Sequence, residues 1–303
     1  MTVRHFLTLF DLEPATLKHL LARASELKRL QREGKRHMPL SGKVLAMVFE
    51  KASTRTRVSF EAGMAQLGGA SMFLSPRDTQ LDRGEPVEDM ARVMSRMVDI
   101  VVIRANSHAT VERFARHSRV PVVNALTDLH HPCQLLADIQ TYIEARGDIA
   151  GRVVGWVGDG NNVCHSWMQA ARQFGFTLRV ATPKGYEPNP DITKACGASV
   201  ALLNDPREAV RAADAVVTDT WASMGQEAEK TQRMKDFAGY TVDQSLMALA
   251  HRDAIFLHCL PAYRDYEVAR EVIDGPQSVV WDEAENRLHA QKALLELLLG
   301  AKP

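Results

Sequence analysis

The chain has 303 residues, more than one hydrophobic core of ordinary size serves, so two domains are the expectation. Hydrophobic residues make up 46%, enough for packed cores, and 37 basic residues balance 37 acidic ones, so no overall field recruits nucleic acid or an anionic membrane. The four cysteines, Cys133, Cys164, Cys196 and Cys259, include no CxxC pair, which argues against a zinc knuckle or disulfide framework and for reduced thiols. The opening MTVRHFLTLFDLEP carries charges inside its apolar stretch, unlike a signal peptide, and no apolar run approaches the roughly 20 residues a spanning helix needs. A cytoplasmic location is the expectation.

In chain order, ATLKHLLARASELKRLQREG places leucines at helical spacing after Pro14 and ends at Gly34. Short apolar runs then alternate with helical patterns: VLAMVF, the helix TRVSFEAGMAQLGG, VEDMARVMSRM, DIVVIR, TVERFARHS and PVVNA. HPCQLLADIQTYIEARG reads as a bridging helix over about 132–146, started by Pro132 and stopped at Gly147. The alternation resumes with RVVGWVG, VCHSWMQAARQFG, TLRVA, DPREAVRAA, DAVVTDTW, AIFLHCLP and VVWDE, and AENRLHAQKALLELLLG forms a last helix over about 284–300 whose leucines need burial. Strands separated by helices pair in parallel through right-handed crossovers. The expected fold class is therefore α/β: two doubly wound parallel-sheet domains, 1–147 and 148–303, joined by interdomain helices, with the last helix packing back on the first domain.

Several motifs fall at strand ends. STRTR, residues 53–57, lies between the strand LAMVF and a helix, where free N–H groups, hydroxyls and guanidinium forks suit a phosphate-sized anion. The plain alternative is a Ser/Thr cap with solvated arginines. Arg104 ends DIVVIR, and His131 and Gln134 stand in HPCQ after PVVNA; parallel sheets bind ligands beyond the carboxyl ends of their strands, so the three stretches can converge. WVGDGNN offers Gly158 and Gly160, but Val163 takes the third glycine position and no acid follows at the spacing an NAD site requires. Asn161 and Asn162 suit a carboxylate or a simple cap, while Asp219 in DTWASMG suits an ammonium, with Ser223 and the Met224 N–H for a carboxylate. Cys259, in HCLP, ends another strand; it carries no Cys/His signature of a nucleophile, and a buried structural thiol is the usual role.

STRTR, Arg104, HPCQ and HCLP together resemble the carbamoyltransferases, and FEKASTRTRVSFE, DGNN and DTWASMG resemble their ornithine branch, over nearly the whole chain. The resemblance implies a carbamoyl phosphate domain followed by an ornithine domain, a homotrimer or multiple of trimers, a place in arginine metabolism, and no metal or cofactor. It implies carbamoyl phosphate contacts at Ser53, Thr54, Arg55, Thr56, Gln80, Arg104, His131, Pro132, Cys133, Gln134, Cys259, Leu260 and Arg287. It implies ornithine contacts at Asn162, Asp219, Ser223 and Met224, and catalytic roles for Arg104, His131, Cys259 and Asp219. Asp82 stands where the family more commonly has glycine. N-acetylornithine or putrescine as acceptor, or a non-catalytic carbamoyl phosphate sensor, are the alternatives; DTWASMG favours ornithine.

Overall fold

A computed structural model describes residues 4–78, 84–222 and 229–301. The chain divides into two compact units, Met1–Gln140 with Glu285–Pro303, and Thr141–Ala284. The last helix thus belongs mostly to the first unit, and the division falls within the helix that follows HPCQ.

In the first unit α1 (Pro14–Arg32) precedes β1 (Val44–Phe49), α2 (Thr54–Gln66), β2 (Ala70–Leu74), α3 (Val87–Met94), β3 (Ile100–Arg104), α4 (His108–His117), β4 (Val122–Leu126) and α5 (Pro132–Arg146). The strands are parallel in the order β2-β1-β3-β4. β1 and β3 lie inside the sheet and are buried almost throughout, which is why each reads as an unbroken apolar run. β4 is extended by Phe6, whose N–H donates to the Val122 carbonyl while the Asn124 N–H donates back to the Phe6 carbonyl. One face packs on Met90, Ala91, Val111, Phe114 and Ala115 from α3 and α4.

The second unit holds β5 (Val153–Val157), α6 (Asn162–Phe174), β6 (Thr177–Ala181), α7 (Pro190–Cys196), β7 (Val200–Leu203), α8 (Pro206–Val210), β8 (Ala215–Thr218), α9 (Lys230–Asp236), α10 (Gln244–Met247), β9 (Ile255–His258) and α11 (Arg270–Ile273). Its parallel sheet runs β7-β6-β5-β8-β9. Phe256, Val216 and Val157 pack against Val242, Leu246, Val268 and Val272.

Both units are doubly wound parallel sheets, as the alternation of runs required. Two strands escape the sequence reading, β2 and β7, and one expected strand is absent: VVWDE enters α12 (Val280–Leu299), so the last helix begins at Val280 and not near residue 284. Only Ser278 makes an isolated bridge there, to Phe256.

The winding reverses between β1 and β3 in the first sheet and between β5 and β8 in the second. At such a switch point the loops leave adjacent strands in opposite directions and open a crevice at the carboxyl ends. STRTR follows β1 and Arg104 closes β3; Asp159–Asn162 follow β5 and Asp219 follows β8. No helix among the described residues is long and apolar enough to cross a membrane.

Candidate active site

In the first unit, Ser53 caps α2: its Oγ accepts from the Thr56 N–H at 3.3 Å and donates to Thr56 Oγ1 at 2.9 Å. The cap and the anion site are compatible, because a helix leaves four N–H groups at its start and Ser53 takes only one. Arg57 does not join the cluster: its Nε donates to Glu61 at 2.9 Å and its guanidinium lies 4.0 Å from the Phe73 ring centroid, so it braces α2 against β2.

Arg104 pairs in register with Phe49 at the end of β1 and is buried. His131 is buried too. Burial first, and then the positive charges of Arg287, Arg104 and Arg55, hold its imidazole well below the usual histidine range. His131 is therefore neutral at pH 7, with one N–H to donate and no charge of its own. Gln134 is oriented at both ends: its Nε2 donates to Asp138 at 2.8 Å and its Oε1 accepts from Arg287 Nη1 at 2.7 Å. Arg287, carried by α12, also reaches Thr56 Oγ1 at 3.4 Å. With the Gln291 amide oriented to satisfy its neighbours, its oxygen accepts from Arg287 Nε at 3.1 Å and its nitrogen donates to Ser59 Oγ at 2.6 Å. Arg287 thereby ties α2, α5 and α12 into one cationic cluster.

Pro132 opens α5. Cys133 is fully buried, its thiol donates to the Asn124 carbonyl at 3.4 Å, and burial pushes its pKa up to about 12. Its side chain is a structural thiol, and only its backbone is available to a ligand. Gln80, with Asp82, lies outside the described residues, as do Ser223 and Met224.

In the second unit Asp219 is buried at the end of β8 and collects three donors: Asn161 Nδ2 at 2.8 Å, the Thr220 N–H at 2.8 Å and the Cys259 thiol at 3.2 Å. Asn161 also caps α6, its Oδ1 accepting from the Val163 and Cys164 N–H groups at 3.0 and 3.1 Å. Asn161 is thus the residue that positions Asp219, while Asn162 occupies the first turn of α6. Gly160 makes that turn possible: a Cβ there would lie 2.4 Å from the Pro188 nitrogen.

Cys259 and Leu260 belong to this second unit with Asp219, whereas the remaining described phosphate candidates belong to the first. Leu260 is held at φ +57°, a conformation unusual for a bulky residue. Its N–H donates to His258 Nδ1 at 2.9 Å, so the ring proton sits on Nε2, which donates to Glu267 Oε1 at 3.2 Å. Glu267 accepts also from the Tyr263 N–H at 2.6 Å. This buried network fixes the backbone that presents Cys259. Asp219, His258 and Cys259 bring ligand atoms within 4.8 Å of one another, a spacing a soft divalent cation could span. Both ring nitrogens of His258 are already used, so a cation bound to either one would have to displace a hydrogen bond there.

Both parallel-sheet units gather polar groups at the carboxyl ends of their strands, arginines in the first and the carboxylate of Asp219 in the second, the arrangement of an α/β protein that binds small polar ligands there. The chain belongs to the aspartate/ornithine carbamoyltransferase family: the model of the carbamoyl-P binding domain matches residues 4–144 and that of the Asp/Orn binding domain matches residues 150–298. It is similar to the ornithine carbamoyltransferase of Nitrosococcus oceani, 64% identical over 303 residues and 100% of both chains, and to that of Methylococcus capsulatus, 62% identical over 99% of this chain and 100% of the other. Among solved structures, the ornithine carbamoyltransferase from Pyrococcus furiosus superposes with a TM-score of 0.95 at 50% identity, covering 99% of this chain and 98% of that one. The one from Burkholderia thailandensis superposes with a TM-score of 0.92 at 51% identity, covering 98% and 99%.

Proposed function

We propose that the protein transfers the carbamoyl group of carbamoyl phosphate to the side-chain amine of L-ornithine, giving L-citrulline and phosphate. One observation carries the reading: Arg287 donates to Gln134 on α5 and reaches Thr56 in the first turn of α2, and its charge with those of Arg55 and Arg104 is felt by the buried His131. That is a site for a dianion with a carbonyl attached, in the unit matched by the carbamoyl-P domain.

Ser53, Thr54, Arg55 and Thr56 hold the phosphate, with the α2 dipole behind them. Arg104, His131 and Thr56 donate to the carbamoyl oxygen. A neutral imidazole donates without giving up its proton, so it stabilises the developing oxyanion without protonating it. Gln134, oriented by Asp138 and Arg287, accepts from the carbamoyl NH₂ through Oε1. In the second unit, Asn162 with Asp219, Ser223 and Met224 hold the amino-acid end of ornithine, and Asp219 with Cys259 receives and desolvates the amine. The neutral amine forms the new C–N bond. The tetrahedral oxyanion then collapses with cleavage of the C–O bond to phosphate, which carries away the amine proton. Arginine charge on the leaving group makes a metal unnecessary for this route.

A lysine-like amine with a pKa of about 10.4 is unprotonated in on the order of one molecule in a thousand near pH 7.4. With carbamoyl phosphate and a panel of acceptor amines, citrulline should form with L-ornithine, and kcat/KM for ornithine should rise close to tenfold per pH unit between about 7 and 9. A flat profile would exclude attack by the free amine; preference for N-acetylornithine or putrescine would move the acceptor.

The chain works as a homotrimer or a multiple of it, in the cytoplasm. Support for assembly comes from β2, at the sheet margin with Ala70, Ser71 and Met72 exposed, and from Val58 on α2, exposed to 57%. An open apolar edge of this kind is normally covered. Sedimentation equilibrium should give three chains or a multiple; a single-chain mass would refute it. Cell fractionation tests the compartment.

A further inference from the structure

Arg233 is a buried cation that the proposed chemistry does not use. It sits on α9 at 7% exposure and makes three hydrogen bonds: Nη1 to Asp159 Oδ2 at 2.8 Å, Nη1 to the Trp221 carbonyl at 2.9 Å, and Nε to Glu229 Oε2 at 2.9 Å. Its guanidinium carbon stands 4.9 Å from the Tyr186 ring centroid. Tyr186 is itself fixed, its hydroxyl donating to Asp236 at 2.7 Å and its carbonyl accepting from the Gly160 N–H at 2.9 Å. Four separate segments meet on one side chain.

The sequence positions of those segments matter. Asp159 stands two residues before Asn161, whose amide donates to Asp219, and Trp221 stands two residues after Asp219. Trp221 and Glu229 flank residues 223–228 on either side. The Trp156 indole N–H donates to the Asp159 carbonyl at 3.0 Å, so the backbone under Asp159 is anchored in the sheet. A buried ion pair adds little net stability compared with apolar residues of the same volume, because desolvation of both charges offsets their attraction. What such a pair does supply is a fixed distance between the segments it joins. Burial raises the Asp159 carboxyl to about 6 despite its partner, so desolvation outweighs the attraction of Arg233.

We propose that Arg233 is a positioning residue for the amino-acid acceptor: through Asp159 and the Trp221 carbonyl it sets the spacing between the loop carrying Asn161 and Asn162 and the loop carrying Asp219. The proposal rests on the ornithine reading above and adds to it the group that determines acceptor affinity without touching the acceptor. Trp221, stacked on Phe237 at 5.4 Å, gives the same wall an apolar backing.

The test is steady-state kinetics in both substrates, with Tm, for the wild type, Asp159→Asn, Arg233→Gln, Arg233→Lys and the Asp159→Asn/Arg233→Gln double variant. Asp159→Asn keeps the side-chain shape and leaves one charge fewer to bury, so it keeps the test readable where Arg233→Gln fails to fold. The expected result is an ornithine KM raised at least tenfold in Asp159→Asn and Arg233→Gln, with the KM of carbamoyl phosphate within twofold of wild type. The double variant should be no worse than the poorer single one, and Arg233→Lys should recover part of the loss. An ornithine KM within twofold of wild type in a folded Asp159→Asn would overturn the proposal while leaving the ornithine reading intact. So would parallel loss of kcat and both KM values in step with Tm, the behaviour of a merely structural pair. A wild type that makes no citrulline from ornithine would overturn the reading, and the proposal with it.

Discussion

Arg104→Gln is expected to lower kcat for carbamoyl transfer by about 10²–10³-fold, the loss that follows removal of one oxyanion donor. β3 delivers this residue to the carboxyl end of an interior strand, where burial keeps water from screening its charge. Glutamine retains a donor but no charge. The same substitution has a second readout, because Arg104 is one of three cations that depress the His131 pKa. Removing it should move the His131 titration upward, towards the ordinary histidine range, while burial still holds it below. The neutral, productive form of His131 would then persist over a narrower span of acidic pH, and the acid limb of the kcat profile would shift up if His131 titrates in the complex. A kcat within threefold of wild type would remove Arg104 from the oxyanion site. Nuclear magnetic resonance of the imidazole gives the titration directly.

Asp219→Asn should reduce kcat/KM for ornithine by about 100-fold, the loss of one or two charge-assisted hydrogen bonds to the acceptor at roughly 1.5–3 kcal/mol each, and it also disturbs the three donors that Asp219 collects. An amide in place of the carboxylate also turns an NH₂ towards one of those donors, leaving Asn161 or Cys259 without an acceptor. The cation-receiving charge disappears at the same time. The KM of carbamoyl phosphate should change far less, because of its proposed contacts only Cys259 touches Asp219 and those in the first unit are unaltered. An unchanged ornithine kcat/KM would displace Asp219 from the amine.

The interior strands of both sheets were legible because a strand buried on both faces is apolar along its middle, as VLAMVF, the IVVI of DIVVIR and the AVV of DAVVT are. β2 and β7 were not: ASMFL and VALL are short runs at sheet margins and only partly buried, whereas the other two margin strands, β4 and β9, are buried almost throughout. VVWDE misled because three residues of β-branched and aromatic type do not distinguish a strand from the first turn of a helix. Its neighbours decide, and α12 continues through it.

The candidate site divides in the same way. STRTR, HPCQ, DGNN and HCLP stood out because polar and charged groups are clustered in short stretches at strand ends. The residues that hold those stretches in place were silent. Arg287 serves Thr56 and Gln134 from more than 150 positions away, and Gln291 holds Arg287 and Ser59; Glu267 serves Leu260 through His258; Arg233 serves Asp159 from α9. Each is an ordinary polar residue on an ordinary helix or loop, and nothing local distinguishes it.

By itself, then, the sequence determined the α/β class, the parallel pairing, the family and the chemical types gathered at the strand ends, because periodicity, turn residues and short motifs are properties of neighbouring positions. Only the tertiary structure decided that His131 is neutral, that Cys133 is a structural thiol, that Asn161 positions Asp219 and that Arg57 serves packing. Protonation and orientation depend on burial and on charges brought together from distant parts of the chain, and those distances do not exist until the chain is folded.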